Sequence, residues 1–149
     1  MHSNLDARSA NFNVLNVEAV SHSLDIPEGF EYDKSIHKLD GSTQIRVEVD
    51  IEKNILIVFV EIHMNCSIRS TGEEIGKLFY LKSRSRFFVE KLTEYISDKE
   101  ELDVEINLLS ELVQISMDHT RGMQSVYLKG SPLGKITMPR KDVAKLLQK

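Results

Sequence analysis

The sequence predicts an α+β domain, in which a four-stranded antiparallel meander sheet is followed by a long helix and a short C-terminal helix packed on it. Three observations carry this prediction. Apolar residues recur with a period near two in four segments before residue 92; the period lengthens to three or four between residues 104 and 127; and Gly130, Pro132 and Gly134 then separate that stretch from a last short apolar run.

The first strand spans residues 12–24, with Leu15, Val17 and Ala19 on one side and Phe12, Val14 and Val20 on the other. Residues 25–42 hold Pro27, Gly29, Asp33, Asp40 and Gly41, which favour irregular backbone, so they read as a long connection. Strict alternation marks the second strand at 43–51, where Ile45, Val47, Val49 and Ile51 interleave with Gln44, Arg46, Glu48 and Asp50. A polar turn at 52–54 leads to the third strand, 55–69. One face of it runs Leu56, Val58, Val60, Ile62, Met64, Cys66, Ile68, whereas the other starts apolar with Ile57 and Phe59 and ends polar with Glu61, His63 and Asn65. Such a strand is covered on both faces at one end and on one face at the other. The fourth strand is expected at 77–91.

In the helical stretch 104–127, Ile106, Leu109, Val113, Met117, Met123 and Tyr127 form a stripe that Leu108, Leu112 and Ile115 widen, with Gly122 as its weak point. Residues 136–139 read as a short extended piece. Asp142 is placed to cap a last helix at 143–148.

Chain length and composition bound the function. A chain of 149 residues fits one domain, residues 1–149, with 1–10 expected as a flexible tail, and buries roughly two-thirds of its unfolded surface. A net charge of −4 argues against nucleic acid as the main ligand, because phosphate binding needs a concentrated basic surface. The polar start of the chain lacks the apolar run of a secretion signal, and no segment offers the ~20 apolar residues of a membrane helix, so a cytoplasmic protein is expected. The only cysteine, Cys66, sits in an apolar run and reads as a buried structural thiol.

No phosphate loop, nucleophile elbow, zinc spacing or HExxH pair occurs, and no cofactor, metal or catalytic residue is expected. His37, His63 and His119 are far apart in sequence. Ser116, Asp118 and His119 lie within one helical turn and splay around it, which disqualifies them as a triad. Lys82, Arg84 and Arg86, between Tyr80 and Phe88, share one face of the fourth strand; this resembles a single-stranded nucleic-acid platform, but in an acidic chain a solvated or subunit-facing stripe is the better reading.

Taken in order, these elements resemble the SecB protein-export chaperone family, in which a sheet with a long first crossover precedes a long helix, a Gly/Pro connection and a short final helix. The likeness is best in FNVLNVEAVSHSLDIP (residues 12–27) and in TRGMQSVYLKGSPLGKITMP (120–139) leading into DVAKLL. The family implies a chaperone that works without ATP, assembles as a dimer of dimers, keeps precursors unfolded and passes them to the SecA motor. On this resemblance Asp25 matches an acidic SecA contact near the end of the first strand. The fourth strand departs from the pattern, reading Phe79-Tyr80-Leu81-Lys82 where the family presents a second acid.

The residues offer a counterpart to that activity. Phe30, Tyr32 and Ile36 in a polar crossover, with Val143, Leu146 and Leu147 of the final helix as the facing wall, would line a groove for extended clients; alternatively the aromatics only pin the crossover. Leu108, Leu112, Ile115 and Met123 are the expected oligomer contacts. Two other roles stay open: a specialised SecB-like chaperone of a toxin–antitoxin module, and an oligomeric scaffold.

Overall fold

The computed structural model describes residues 11–97, 103–136 and 143–147. The expected tail 1–10, the Asp142 cap, Gln148 and all of the 136–139 piece except Ile136 lie outside the described residues. Four strands form one antiparallel sheet: β1 (Phe12–Leu24), β2 (His37–Asp50), β3 (Ile55–Ile68) and β4 (Glu74–Val89). Two helices follow, α1 (Ile106–Leu128) and α2 (Val143–Leu147).

The strand order is β1-β4-β3-β2, so the meander expected of the whole sheet runs through β2, β3 and β4, and β1 joins on the far side of β4. The connection decides this. Residues 25–36 are too many for a tight hairpin, whereas the Ile51–Asn54 turn, closed from Asn54 N–H to the Ile51 carbonyl at 3.2 Å, keeps β2 and β3 adjacent. Consequently β1 and β2 are the two sheet edges. β2 also starts six residues earlier than the alternation indicated, because residues 37–42 pair with 63–68 despite Asp40 and Gly41. A neighbouring strand supplies what local propensity lacks.

One sheet face is covered by α1. Leu56, Val58, Val60, Ile62 and Met64 of β3 are buried there beside Leu81 and Phe87 of β4, with Leu108, Leu112, Val113, Met117 and Leu128 from the helix. Glu105 starts α1 by accepting the Asn107 and Leu108 N–H groups on its two carboxylate oxygens, each at 3.0 Å. Two otherwise orphaned helix donors are thereby satisfied. Gly130, at φ 82°, and Gly134 end the helix; a Cβ at Gly134 would stand 2.9 Å from the Leu128 carbonyl oxygen, so that turn requires glycine.

A polar seam divides the core. Ser83, Ser85, Ser116, Thr120 and Gln124 are all buried between β4 and α1. Thr120 donates its hydroxyl to the Ser116 carbonyl at 2.6 Å and meets the Ser83 hydroxyl at 2.6 Å, so Ser83 is the donor of that second bond. On one side lies the cluster of Val58, Val60, Phe87, Leu92, Leu112 and Val143; on the other lies that of Met64, Cys66, Phe79, Leu81, Leu128 and Leu133. Leu92 comes from the short 3-10 turn Leu92–Tyr95, which the residue pattern did not reveal. Small side chains at the seam let helix and sheet approach closely, which is why serine stands where alternation alone would place Val or Ile.

Candidate functional site

A groove of about 850 Å³ runs along the free edge of β2. Ile45, Val47 and Val49 line it from the strand, Val104 and Leu109 from the start of α1, and Leu146 and Leu147 from α2. All seven are half-buried, so each keeps apolar surface to offer a ligand. Val143, only 6% exposed, anchors α2 into the first core cluster and so sets the position of the two leucines. Arg46, Glu48 and Asp103 form the rim, and the first two are ion-paired with each other.

Edge geometry adds a second kind of complementarity. Among the described residues β2 pairs only with β3, so half of its backbone N–H and C=O groups face outward beside the apolar floor. An extended polypeptide laid there would bury alternate side chains and add main-chain hydrogen bonds. Among the described residues the lining offers apolar contact, strand-edge pairing and a charged rim.

The residues expected to form one groove fall in two places. Leu146 and Leu147 line the β2 groove, whereas Phe30 and Tyr32 pack half-buried on the second core cluster near Leu39, with Phe30 tilted against His37 at a ring separation of 4.9 Å and Tyr32 stacked on it at 6.0 Å. From Leu39 to Ile45 along β2 is roughly 20 Å. Ile36 stands apart from both clusters at 50% exposure. The wall facing α2 is therefore β2 itself, with Val104 and Leu109. Alternation made Ile45, Val47 and Val49 visible as one apolar face of a strand; that the strand lies at an edge followed only from strand order.

Leu108 and Leu112 correct the expected subunit contacts. Both are 0% exposed within the chain's own core, so they have no surface left for a partner, while Ile115 and Met123 keep some. Asp25 is exposed just after β1, and its N–H donates to the Leu78 carbonyl at 2.9 Å. Cys66 is buried as read, and burial pushes its thiol pKa up. His37 accepts the Asp33 N–H on Nδ1 at 3.0 Å, and the Ser35 hydroxyl beside Asp33 holds that carboxyl below its usual range. Lys82, Arg84 and Arg86 do share the sheet face turned away from α1. Among the described residues no helix is long and apolar enough to cross a membrane.

No protein-family model and no curated protein matches the sequence. A solved structure matches the fold: the SecB-like chaperone of Mycobacterium tuberculosis in complex with a ChAD peptide from the HigA1 antitoxin. It superposes with a TM-score of 0.64 at 10% identity, covering 88% of this chain and 91% of that one. The chain has the SecB-like α+β fold.

Proposed function

We propose that this chain is a chaperone that holds extended apolar segments of unfolded polypeptides in the β2 groove, without ATP and without catalysis. The observation that carries the reading is an apolar floor set beside an unpaired strand edge, which suits sequence-tolerant binding because main-chain pairing is common to all clients. The fold likeness supports it, since the mycobacterial SecB-like chaperone was solved with an antitoxin peptide. That complex favours an antitoxin as client over an export precursor delivered to SecA. Lys82, where an acidic contact was expected, points the same way. We place the protein in the cytosol as a homo-oligomer, with the tetramer as the family's expectation and with Ile115, Met123 and the 71%-exposed Val126 offering the apolar contact.

The test is suppression of aggregation of a chemically unfolded client, followed by light scattering with no nucleotide present. Near-stoichiometric protection is expected. An oligomer of the right size that gives no protection would favour a scaffold, and a monomer at micromolar concentration would remove the proposed assembly.

A further inference from the structure

The sheet face opposite α1 carries a charge arrangement that the groove does not use. Strand register sets Arg46, Phe59, Arg84 and Glu18 in one row across all four strands, with Lys82 beside Glu61 in the row on one side and Arg86 beside Ile57 in the row on the other. Three carboxylates on this face are each engaged. Glu18 accepts from Arg84 Nε at 2.9 Å, Glu48 pairs with Arg46, and Glu61 accepts the Tyr80 hydroxyl at 2.9 Å. Lys82 and Arg86 form no ion pair among the described residues, although Glu61 lies across from Lys82 and Glu18 lies near enough to feel the Arg86 charge. Lys82 instead stands 5.3 Å from the Phe59 ring centroid, with the Arg46 guanidinium 4.1 Å from the same ring, and Arg86 Nε is buried with no hydrogen-bond partner.

Cations seated on carbon surface are positioned and partly stripped of water, which strengthens their pull on an arriving anion. Between Arg46 and Lys82 a depression of about 160 Å³, floored by Phe59 and walled in part by Glu61 and Gln44, is wide enough for one side chain. Four residues along β4 separate Lys82 from Arg86, roughly 13 Å, which is also the spacing of residues i and i+4 in an extended chain. We propose that this face docks an extended acidic segment of a partner polypeptide, laid along β4 with one carboxylate between Arg46 and Lys82 and a second on Arg86.

A peptide fits this face better than a phosphate chain. Nucleic acid carries charge at every nucleotide and would run across Glu18, Glu48 and Glu61, in a chain whose net charge is already −4. A polypeptide places acids only over Lys82 and Arg86, the two cations without a direct ion pair among the described residues, and neutral residues over the carboxylates. Charge complementarity of this kind sets specificity and association rate more than affinity, so micromolar binding is expected.

Fluorescence anisotropy tests the proposal with the full chain at about 50 mM NaCl, where screening is weak, and a labelled nine-residue peptide with Glu at its third and seventh positions and Thr elsewhere. The peptide should bind. Lys82→Gln with Arg86→Gln should weaken it at least about fivefold, and the Gln-for-Glu peptide should not bind. Lys82→Glu with Arg86→Glu should transfer the preference to the Lys–Thr peptide, a gain that misfolding cannot mimic. The proposal is overturned by any of these: unchanged affinity in the Gln double variant with an intact circular dichroism spectrum, equal binding of the neutral peptide, tighter binding of a deoxythymidine oligomer, or equal weakening by substitutions at Leu146 and Leu147.

Discussion

Replacing Leu146 and Leu147 together by serine strips apolar surface from the groove and also removes the two leucines' own packing on the first core cluster. Full burial of one leucine contributes roughly 1.5–3 kcal/mol, and because both side chains are half-buried in the free protein, about half of that remains for a client to gain. The loss is then about 1 kcal/mol per residue, about 2 kcal/mol together, or a roughly 30-fold rise in Kd. Val143, the buried anchor of α2, is untouched, so the helix should stay docked. Client affinity would be read by titration calorimetry alongside thermal unfolding. The paired control is Phe30→Ser with Tyr32→Ser, which strips two rings from the second core cluster. We expect that variant to lose about 2 kcal/mol of stability, a Tm drop of about 4–8 °C, with groove affinity kept within about threefold. The opposite pattern, in which the ring variant loses client binding at unchanged Tm while the leucine variant binds normally, would move the binding site to the crossover and refute the reasoning.

Three further outcomes follow from the packing and the ion pairs. Leu112→Asp places a carboxylate with no partner at a 0%-exposed core position, so it should abolish the folded circular dichroism signal at 25 °C and not merely dissociate an oligomer, at a cost of several kcal/mol. Gly134→Ala should lower stability by about 1–3 kcal/mol in urea titration, because its methyl group would crowd the Leu128 carbonyl. Glu18 has its pKa lowered first by the Arg84 hydrogen bond and then, less strongly, by the nearby Arg84 and Arg86 charges. A carboxylate with a depressed folded-state pKa contributes stability above its unfolded value, about 4.3, and loses it as the pH falls further. Unfolding midpoints from pH 7 to 3 should therefore decline less steeply for Glu18→Gln than for the parent; identical acid limbs would show that the pair adds nothing.

Much of this organisation was legible in the residues. Alternation through Ile45, Val47 and Val49 and through Leu56 to Cys66 located β2 and β3 and told the inner face of β3 from the outer. The change of period after Val104 located α1, and Gly130 and Gly134 marked its end. Composition did not show the Ser83–Thr120 seam, because a serine in an alternating strand reads as solvent-facing until a helix is known to press on it. It equally could not assign Leu112 to the protomer core or Ile115 to its margin, since both belong to one broad helical stripe. Nor could it separate Phe30 from Leu146, which one expected groove had joined.

The sequence by itself determined the local periods, the breaks between elements and the α+β class, because these depend on neighbours three or four residues away and on the backbone preferences of Gly and Pro. Only the tertiary structure decided that β1 pairs with β4, leaving β2 as a free edge with Leu146 and Leu147 beside it. It also decided which acids on the outer face neutralise Arg46 and Arg84 and which cations are left over. Both outcomes rest on the approach of residues tens of positions apart, Glu18 bonded to Arg84 and Val47 facing the α2 leucines across the groove, whose energies exist only once the chain has closed those loops.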